Sequence, residues 1–241
     1  MAFVFCMGVL DYKFRSSKTD QSPYLFHFTK GDIKTAKDAL HSILNSQKLV
    51  SAKHDYVCFT ASPITSLHKF FQTKVYNSNL PMYQPYGIGF KRDILIDQYN
   101  ARNVVYCGAN DFELIPEELH WRRQLLSVNS HDFEYLREWR IKGKEFDFSS
   151  FPKEEMVIVA PIEHDIFDLV VGPEEVPYMS ANPFTGEMYT DTEIQYQRMY
   201  KGLSMEAINN FLSDYSVSNE VNKQILYEDM FEALITDIKA R

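Results

Sequence analysis

Two short stretches of the sequence place polar side chains at the spacing that puts them on one face of a β-strand. In YLFHFTKGD (Tyr24–Asp32), one residue separates His27 from Thr29. In CFTAS, one residue separates Thr60 from Ser62. Because residues i and i+2 of a strand point to the same side, each pair is expected to project from one face of its strand. Such a pair either has its hydrogen bonds satisfied internally or binds a ligand.

A third stretch, REWRIKG, begins a predicted strand at Glu138, which Arg137 and Arg140 flank. Each of the three stretches also has a purely structural interpretation when it is taken alone. His-x-Thr on a strand can be a satisfied polar pair, and Thr-x-Ser at a strand end can be turn chemistry. A glutamate between arginines can be a surface ion pair. Only the combination of the three indicates a functional site.

Taken in order, four motifs make residues 24–162 resemble the ADP-ribosyltransferase superfamily, and in particular the bacterial abortive-infection families with a DarT-like core. These motifs are HFTKGDIKTAKDALHSIL, CFTASP, YGIGFKR and REWRI. The resemblance implies an α+β fold with an ADP-ribosyltransferase-like split β-sheet core and a helical C-terminal extension. It also implies NAD as the co-substrate that donates ADP-ribose.

The same resemblance implies a role for each residue. His27 and Thr29 would position the nicotinamide riboside, and Thr60 and Ser62 would be supporting hydroxyls. Glu138 would be the catalytic carboxylate. It would contact the ribose 2′-hydroxyl and stabilise the oxocarbenium-like charge that develops as the bond to nicotinamide breaks. A similar carboxylate chemistry operates in glycoside hydrolysis.

Further residues complete the implied site and leave alternatives open. Tyr56 and Tyr86 are candidate stacking partners for nicotinamide, although aromatic core residues are the commoner case. Glu134 is an alternative carboxylate if the register is shifted by four residues. Leu136 stands two residues before Glu138, where enzymes that modify arginine or small G proteins carry Gln or Glu. This difference weakens the case for a protein-arginine acceptor and leaves nucleic-acid bases open.

A local basic surface is predicted around the same strand and the segment before it. It consists of Arg122, Arg123, Arg137, Arg140 and Lys142. Basic residues interleaved with Trp121 and Trp139 suit a single-stranded nucleic acid, through phosphate contacts and base stacking. The alternative is a solvated strand edge that lysines protect. The net charge of −8 argues against a global basic field for a polyanion.

Other kinds of site find no support in the sequence. There is no P-loop or nucleophile-elbow motif, and YGIGF lacks the third glycine of a dinucleotide fingerprint. The seven histidines form no metal-binding spacing, so no metal is expected. Cys6, Cys58 and Cys107 contain no C-x-x-C pair, which is typical of free thiols in a reducing cytoplasm.

Strands and one helix must position the candidate residues. Hydrophobic periodicity predicts a mostly β core of six or seven strands, with an early helix that Asp32 caps. The segment DFELIPEELHWRRQLLSV, which carries Arg122 and Arg123, is predicted to be helical. Two amphipathic helices are predicted near Glu187–Ser213 and Asn219–Lys239. The opening MAFVFCMGVL is interpreted as an N-terminal strand, since it is too short to span a bilayer.

We therefore expect an ADP-ribosyltransferase-like core over residues 1–165 and a mostly helical extension over residues 166–241 that packs on it. The expected function is that of a cytoplasmic, NAD-dependent mono-ADP-ribosyltransferase toxin of a bacterial anti-phage system. Its acceptor would be RNA or DNA, a neutralising antitoxin protein would be its partner, and it would not associate with a membrane. There are two alternatives. The first is a protein that only binds, either a catalytically inactive module of the same fold or an antitoxin-like partner protein. The second is an NAD glycohydrolase with water as acceptor.

Overall fold

The computed structural model of the protein describes residues 22–66, 71, 81–126 and 133–215. Its strands are β1 (Tyr24–Phe28), β2 (Lys48–Val50), β3 (Tyr56–Thr60), β4 (Gly87–Lys91), β5 (Arg102–Asn103), β6 (Val105–Cys107), β7 (Arg123–Leu125), β8 (Glu138–Lys142), β9 (Glu145–Asp147), β10 (Met156–Ala160), β11 (Val171–Ala181), β12 (Met188–Arg198) and β13 (Lys201–Ser204). Its α-helices are α1 (Ile33–Ser46), α2 (Arg92–Tyr99), α3 (Ala109–Phe112), α4 (Glu163–Val170) and α5 (Met205–Tyr215). Short 3-10 helices cover Ile64–Ser66, Glu117–Arg122, Glu134–Leu136 and Lys153–Glu155.

Seven strands form the central sheet, in the spatial order β13-β10-β4-β1-β3-β8-β5. Neighbouring strands run antiparallel except β10 and β13, which run parallel. Three two-stranded sheets, β2–β9, β6–β7 and the hairpin β11–β12, accompany it. A mostly antiparallel sheet with several helices is an α+β architecture, as the sequence predicted.

The two faces of the central sheet bury separate apolar clusters. Because side chains alternate along each strand, Leu25 and Phe90 point to one face, where helices α1 and α4 pack. Phe26 and Val157 point to the other face, where α5 packs through Met205. We call these the α1 face and the α5 face. Every polar residue on a strand is therefore assigned to one face by its position in the strand.

Helix α1 begins at its predicted cap. The Asp32 carboxylate accepts a hydrogen bond from the Thr35 amide at 2.7 Å, which satisfies one of the free N–H groups of the first turn. Ala36, Leu40 and Leu44 form the buried stripe, at the three-to-four residue spacing of an amphipathic helix. This stripe fixes α1 against the α1 face, directly after the strand that carries His27.

The hydrogen-bonded ladder between β1 and β3 is short. Strand β1 pairs with β4 over five residue pairs, whereas its register with β3 consists of the single pair Phe26–Thr60 among the described residues. Strand β3 then pairs with β8 over five residue pairs. His27 lies directly beyond the last β1–β3 pair, so its side chain is next to a gap in the ladder. We call this place the β1–β3 gap.

The segment that carries Arg122 and Arg123 is not the continuous helix that was predicted. It forms the single turn of α3, a 3-10 helix over Glu117–Arg122 that Pro116 precedes, and the strand β7. Pro116 lacks the N–H that a continuous helix requires. Strand β7 instead pairs in parallel with β6, so Arg122 and Arg123 end a 3-10 turn and begin a strand.

The helix predicted over Glu187–Ser213 is wrong for most of its length. Residues 188–198 form β12, residues 201–204 form β13, and the helix α5 begins only at Met205. Aromatic and β-branched residues such as Tyr189, Thr192 and Ile194 favour an extended chain. A turn that contains Gly186, with φ of +72°, closes the hairpin. The predicted strand in residues 1–10 and the predicted helix Asn219–Lys239 lie outside the described residues.

Candidate functional site

Strands β3 and β8 bring one set of polar side chains together on the α5 face of the sheet. The register pairs Thr60 with Glu138, Cys58 with Arg140, and Tyr56 with Lys142. Directly opposed residues of an antiparallel pair point to the same side. We call Tyr56, Cys58, Thr60, Glu138 and Arg140 the Glu138 cluster.

A nearly buried ion pair forms the centre of the cluster. Arg140 Nε donates to Glu138 Oε1 at 2.8 Å, and the two side chains are 2% and 13% exposed respectively. The remaining guanidinium nitrogens donate to the carbonyls of Trp121 and Arg123, both at 3.0 Å, and to Gln124 Oε1 at 2.9 Å. These four hydrogen bonds fix the guanidinium, and its charge-assisted bond to Glu138 orients the carboxylate.

The role predicted for Arg140 in nucleic-acid binding is wrong. The guanidinium is buried, and its nitrogens are engaged by a carboxylate, two backbone carbonyls and an amide oxygen. A phosphate group would have to displace these partners to reach it. Arg140 is instead a positioning residue for Glu138.

Two hydroxyls of β3 and the residues just after it hold the chain segment that leads into β8. Thr60 Oγ1 donates to the Leu136 carbonyl and Ser62 Oγ donates to the Tyr135 carbonyl, both at 2.5 Å. The next residue, Arg137, has φ of +46°, in the left-handed region that non-glycine residues seldom adopt. Thr60 and Ser62 therefore support Glu138 through the backbone, and their hydroxyl protons are already used.

Cys58 belongs to the cluster although its chemistry was not predicted from the sequence. It lies between Tyr56 and Thr60 at the same two-residue spacing, and this alternation was the signal that could have identified it. Burial, together with the negative charge of Glu138, raises the pKa of the Cys58 thiol to about 12. Cys58 is therefore a protonated thiol beside the carboxylate and not a nucleophile at neutral pH.

Tyrosine rings surround the cluster. The Arg140 guanidinium lies 4.1 Å from the centroid of the Tyr56 ring, and the centroid of the His54 ring lies 4.8 Å from it. These two groups already occupy ring surface on which nicotinamide was predicted to stack. Tyr83 and Tyr106 were not predicted as site residues. Burial raises the pKa of both, and the nearby Glu138 charge adds to the increase. The Tyr106 hydroxyl donates to the Phe133 carbonyl at 3.0 Å.

His27 lies at the β1–β3 gap, on the strand next to β3. Its side chain is on the opposite face of the sheet from the Glu138 cluster. Its Nδ1 lies 2.9 Å from the Cys58 carbonyl oxygen. Because a carbonyl only accepts, Nδ1 carries the proton and Nε2 of the neutral ring is an acceptor. Burial lowers the pKa of His27, which favours this neutral form. Along β1, His27 points to the α1 face, since Phe26 shares the α5 face with Thr60 and Glu138.

Thr29 and Tyr86 are occupied away from the cluster. The Thr29 hydroxyl donates to the Tyr86 carbonyl at 2.9 Å and lies 3.1 Å from the Ala36 carbonyl. Tyr86 is 2% exposed in the core of the α1 face, and its hydroxyl donates to Asp165 at 2.7 Å. The prediction that Tyr86 stacks on nicotinamide is therefore wrong, because its ring has no accessible face.

The other predicted basic residues are dispersed. Arg122 donates to the backbone and side-chain oxygens of Asn103, both at 3.1 Å. Arg123 donates to the Phe112 carbonyl at 2.8 Å and lies over its ring. Arg137 is half-buried, whereas Lys142 is exposed at the end of β8. Glu134, the alternative carboxylate, is exposed at the start of a 3-10 helix and not on β8.

The described residues contain no group of three or more His, Cys, Asp or Glu side chains that could hold a metal ion. Among the same residues, no helix combines the length and the apolar character needed to cross a membrane. Comparison of the chain with protein-family models, with curated proteins and with solved structures found no match.

Proposed function

We propose that the protein is an NAD-dependent mono-ADP-ribosyltransferase in which Glu138 is the catalytic carboxylate. One observation carries the proposal: Glu138 begins β8 as a carboxylate that the buried Arg140 holds in one orientation, on the strand next to β3. The four motifs that carry the sequence resemblance contribute strands β1, β3, β4 and β8, which are consecutive in the sheet in the order β4-β1-β3-β8. Support for the transferase is therefore the resemblance together with this oriented charge.

In the proposed reaction the bond between C1′ of the ribose and the nicotinamide nitrogen breaks, and its electron pair leaves with nicotinamide. A nucleophile of the acceptor forms a new bond to C1′ and loses its proton. Glu138 would stabilise the positive charge that develops on the sugar and accept a hydrogen bond from the 2′-hydroxyl. His27 projects from the opposite face of the sheet, so the proposed step gives it no contact with the ribose that Glu138 binds.

The acceptor in this proposal is RNA or DNA, and the setting is a cytoplasmic anti-phage toxin that a partner protein restrains. Support for a nucleic-acid acceptor comes from Leu136, which stands where protein-arginine modifiers carry a polar residue, and from the exposed Lys142. The burial of Arg140 reduces the basic surface that a nucleic acid would contact.

The test is transfer of label from ³²P-NAD to total RNA, DNA and protein by the purified wild-type chain and by Glu138→Gln. Glutamine keeps an oxygen that can accept from Arg140, so the variant removes the charge and not the contact. The expected loss of transfer is about 100-fold or more. Glu134→Gln, at an exposed carboxylate four residues earlier, is the matched control and should transfer as the wild type does. Equal transfer by Glu138→Gln would show that Glu138 is not catalytic.

A second candidate function is a catalytically inactive module that only binds a partner. The hydroxyls of Thr29, Thr60 and Ser62 all donate to backbone carbonyls, and Glu138 is neutralised by an ion pair, as in a structural network. In that case no label leaves NAD with any acceptor, and bacteria tolerate expression of the wild type and of Glu138→Gln equally. Release of free ADP-ribose without labelled macromolecules would instead identify an NAD glycohydrolase.

A further inference from the structure

The hairpin β11–β12 has one apolar face that lies in solvent. Its strands pair over eleven residues each, and among the described residues they form a sheet of their own. Alternation puts Met179, Met188, Ile194 and Tyr196 on the same face, and each is 60% to 75% exposed; Glu175 (which pairs with Ile194), Thr190 and Thr192 share that face. A two-stranded hairpin of this kind is only marginally stable in water by itself. Four large apolar side chains on one exposed face are typical of an interaction surface.

The opposite face of the hairpin carries polar and acidic side chains. Tyr178 and Asp191 lie opposite each other there, and the tyrosine hydroxyl donates to the carboxylate at 3.2 Å. Glu193 shares this face. Over residues 171–198, five acidic residues stand against one basic residue: Glu174, Glu175, Glu187, Asp191 and Glu193 against Arg198. The hairpin therefore attracts cations and repels a nucleic-acid backbone.

The two edges of the hairpin differ in their hydrogen-bonding capacity. Its ladder includes bonds from Asn182 to the Glu187 carbonyl at 2.9 Å and from Met199 to the Val170 carbonyl at 2.7 Å. In an antiparallel ladder, hydrogen-bonded pairs alternate with non-hydrogen-bonded pairs. Since Asn182 and Val170 belong to bonded pairs, the even-numbered residues of β11 bond to β12, and the odd-numbered residues direct their backbone groups away from it. Pro173 and Pro177 occupy two of these outward positions and have no N–H, so the outer edge of β11 is blocked at two places.

The outer edge of β12 contains no proline. Its outward positions are Met188, Thr190, Thr192, Ile194, Tyr196 and Arg198. The Thr192 N–H donates to Asp191 Oδ1 at 2.8 Å, so it is engaged at this one position. The other outward N–H and C=O groups, next to an edge that two prolines block, are a template for one added strand. The turn adds a further contact point, because Phe184 is 96% exposed there.

We propose that the hairpin is a docking arm that binds an extended segment of a partner protein as a third strand along β12. The segment alternates apolar and basic residues: the apolar ones extend the face of Met188, Ile194 and Tyr196, and the basic ones lie beside Asp191 and Glu193. This occupant forms hydrogen bonds with the edge of β12, covers the apolar face and pairs with the acidic side chains. A second copy of the chain would cover the apolar face only, since it brings the same acidic residues.

The probe is a fluorescent eleven-residue peptide of alternating Val and Lys, and its counterpart has Glu in place of Lys. We expect fluorescence anisotropy with the full chain to show binding of the Lys peptide at least about tenfold tighter than the Glu peptide, because like charges repel. Added salt should weaken the binding. Equal affinity for the two peptides, or no binding of the Lys peptide at millimolar protein, would overturn the proposal.

Two substitutions locate the binding edge. Thr190→Pro removes one outward N–H of β12 and leaves the hairpin ladder intact, so affinity should fall about fivefold or more. Ala181→Pro makes the same change at an outward position of β11 and is the matched control, with affinity expected within about twofold of the wild type. If Ala181→Pro weakens binding and Thr190→Pro does not, the strand does not add to β12.

A third substitution tests the charge without touching the backbone. Glu193→Lys should reduce the preference for the Lys peptide over the Glu peptide, because it replaces a negative charge on the polar face by a positive one. Light scattering identifies the other occupants. A dimer of the wild type that Thr190→Pro dissociates would assign the face to a second copy, and tighter binding of single-stranded RNA than of the Lys peptide would assign it to nucleic acid. Either result would overturn the proposal.

Discussion

Arg140 is a buried positive charge on which both the stability and the site depend. Its partners are Glu138, two backbone carbonyls and Gln124. Replacing it by methionine leaves the Glu138 carboxylate nearly buried and without a counter-charge. Removing one member of a buried ion pair costs about 3–5 kcal/mol. We expect Arg140→Met to lower the free energy of unfolding in urea by this amount.

The control for this substitution is Arg122→Met. Arg122 bonds only to Asn103 in the described part of the chain and lies nearer the surface. Its replacement should cost no more than about 1 kcal/mol. Equal urea midpoints for Arg140→Met and the wild type would show that the ion pair contributes nothing to folding.

His27 should make folding stability depend on pH. Burial lowers its pKa below the ordinary value of 6.5, Lys30 lowers it further, and the hydrogen bond to Cys58 opposes them. The unfolded chain therefore binds a proton at a higher pH than the folded chain does. The stability that His27 contributes is complete above pH 6.5 and is lost as the pH falls towards its folded-state pKa.

The measurement is the urea midpoint of the wild type and of His27→Gln at about pH 7.5 and about pH 5, on either side of the ordinary histidine pKa. The glutamine side chain can still donate to the Cys58 carbonyl but cannot be protonated in this range. The wild type should lose more stability on acidification than His27→Gln does. His164→Gln, at a side chain that is 80% exposed, should behave as the wild type. Parallel pH profiles for all three chains would contradict the buried, neutral imidazole.

At the scale of the elements, β1 and β4 approach each other more closely than a side chain at Gly87 would permit. A Cβ added at Gly87 would lie 2.4 Å from the Phe28 ring and 2.6 Å from the His27 carbonyl oxygen. The carbonyl is backbone and cannot rotate away. We expect Gly87→Ala to lower the free energy of unfolding by about 1–3 kcal/mol.

The comparison for Gly87→Ala is Gly108→Ala. A Cβ at Gly108 would meet nothing nearer than the Asp111 carboxylate at 4.0 Å, so the change should stay within about 0.5 kcal/mol of the wild type. Thermal unfolding of both variants provides the test. A Gly87→Ala variant as stable as Gly108→Ala would mean that β1 and β4 can separate without cost.

The elements that were predicted correctly are those whose sequence signal is local. The cap at Asp32, the early helix that follows it, and the strand positions of His27 and Thr60 all follow from spacing within one element. The hairpin was missed because Pro173 and Pro177 argue against a strand. A strand tolerates proline where the backbone nitrogen faces an open edge and needs no hydrogen bond, and the sequence does not reveal which edge is open.

Local spacing predicted the strands that carry the candidate residues, but it did not predict the contacts of those residues. Spacing correctly indicated that Thr60 and Glu138 lie on strands, but the partners of Arg140 come from residues 121–124, which no local pattern links to β8. The hydrogen-bond partner of Tyr86 is likewise distant in sequence, because its hydroxyl donates to Asp165, 79 residues away. Contacts of this kind depend on the tertiary fold and overrule local expectations about exposure.

For the whole molecule, the hairpin is separable from the core that holds the Glu138 cluster. Gly172 and Gln197 lie opposite each other at its base. Replacing residues 173–196 by Asn-Gly would join them through a two-residue turn. Because the removed side chains are largely exposed, we expect the melting temperature to change by less than about 4 °C. Unfolding of the shortened chain at room temperature would show that the hairpin is part of the folding unit.

The parallel pairing of β10 with β13 also affects how the chain can fold as it is synthesised. Strand β10, MVIVA, is completely buried, and β13 follows it only after 40 intervening residues, 161–200. At about 5–20 residues per second, a ribosome takes roughly 2–8 s to produce them. During that interval one edge of the most apolar strand of the sheet is without its neighbour. A nascent chain that ends between residues 160 and 200 therefore presents an unpaired edge of β10, which is a site for aggregation.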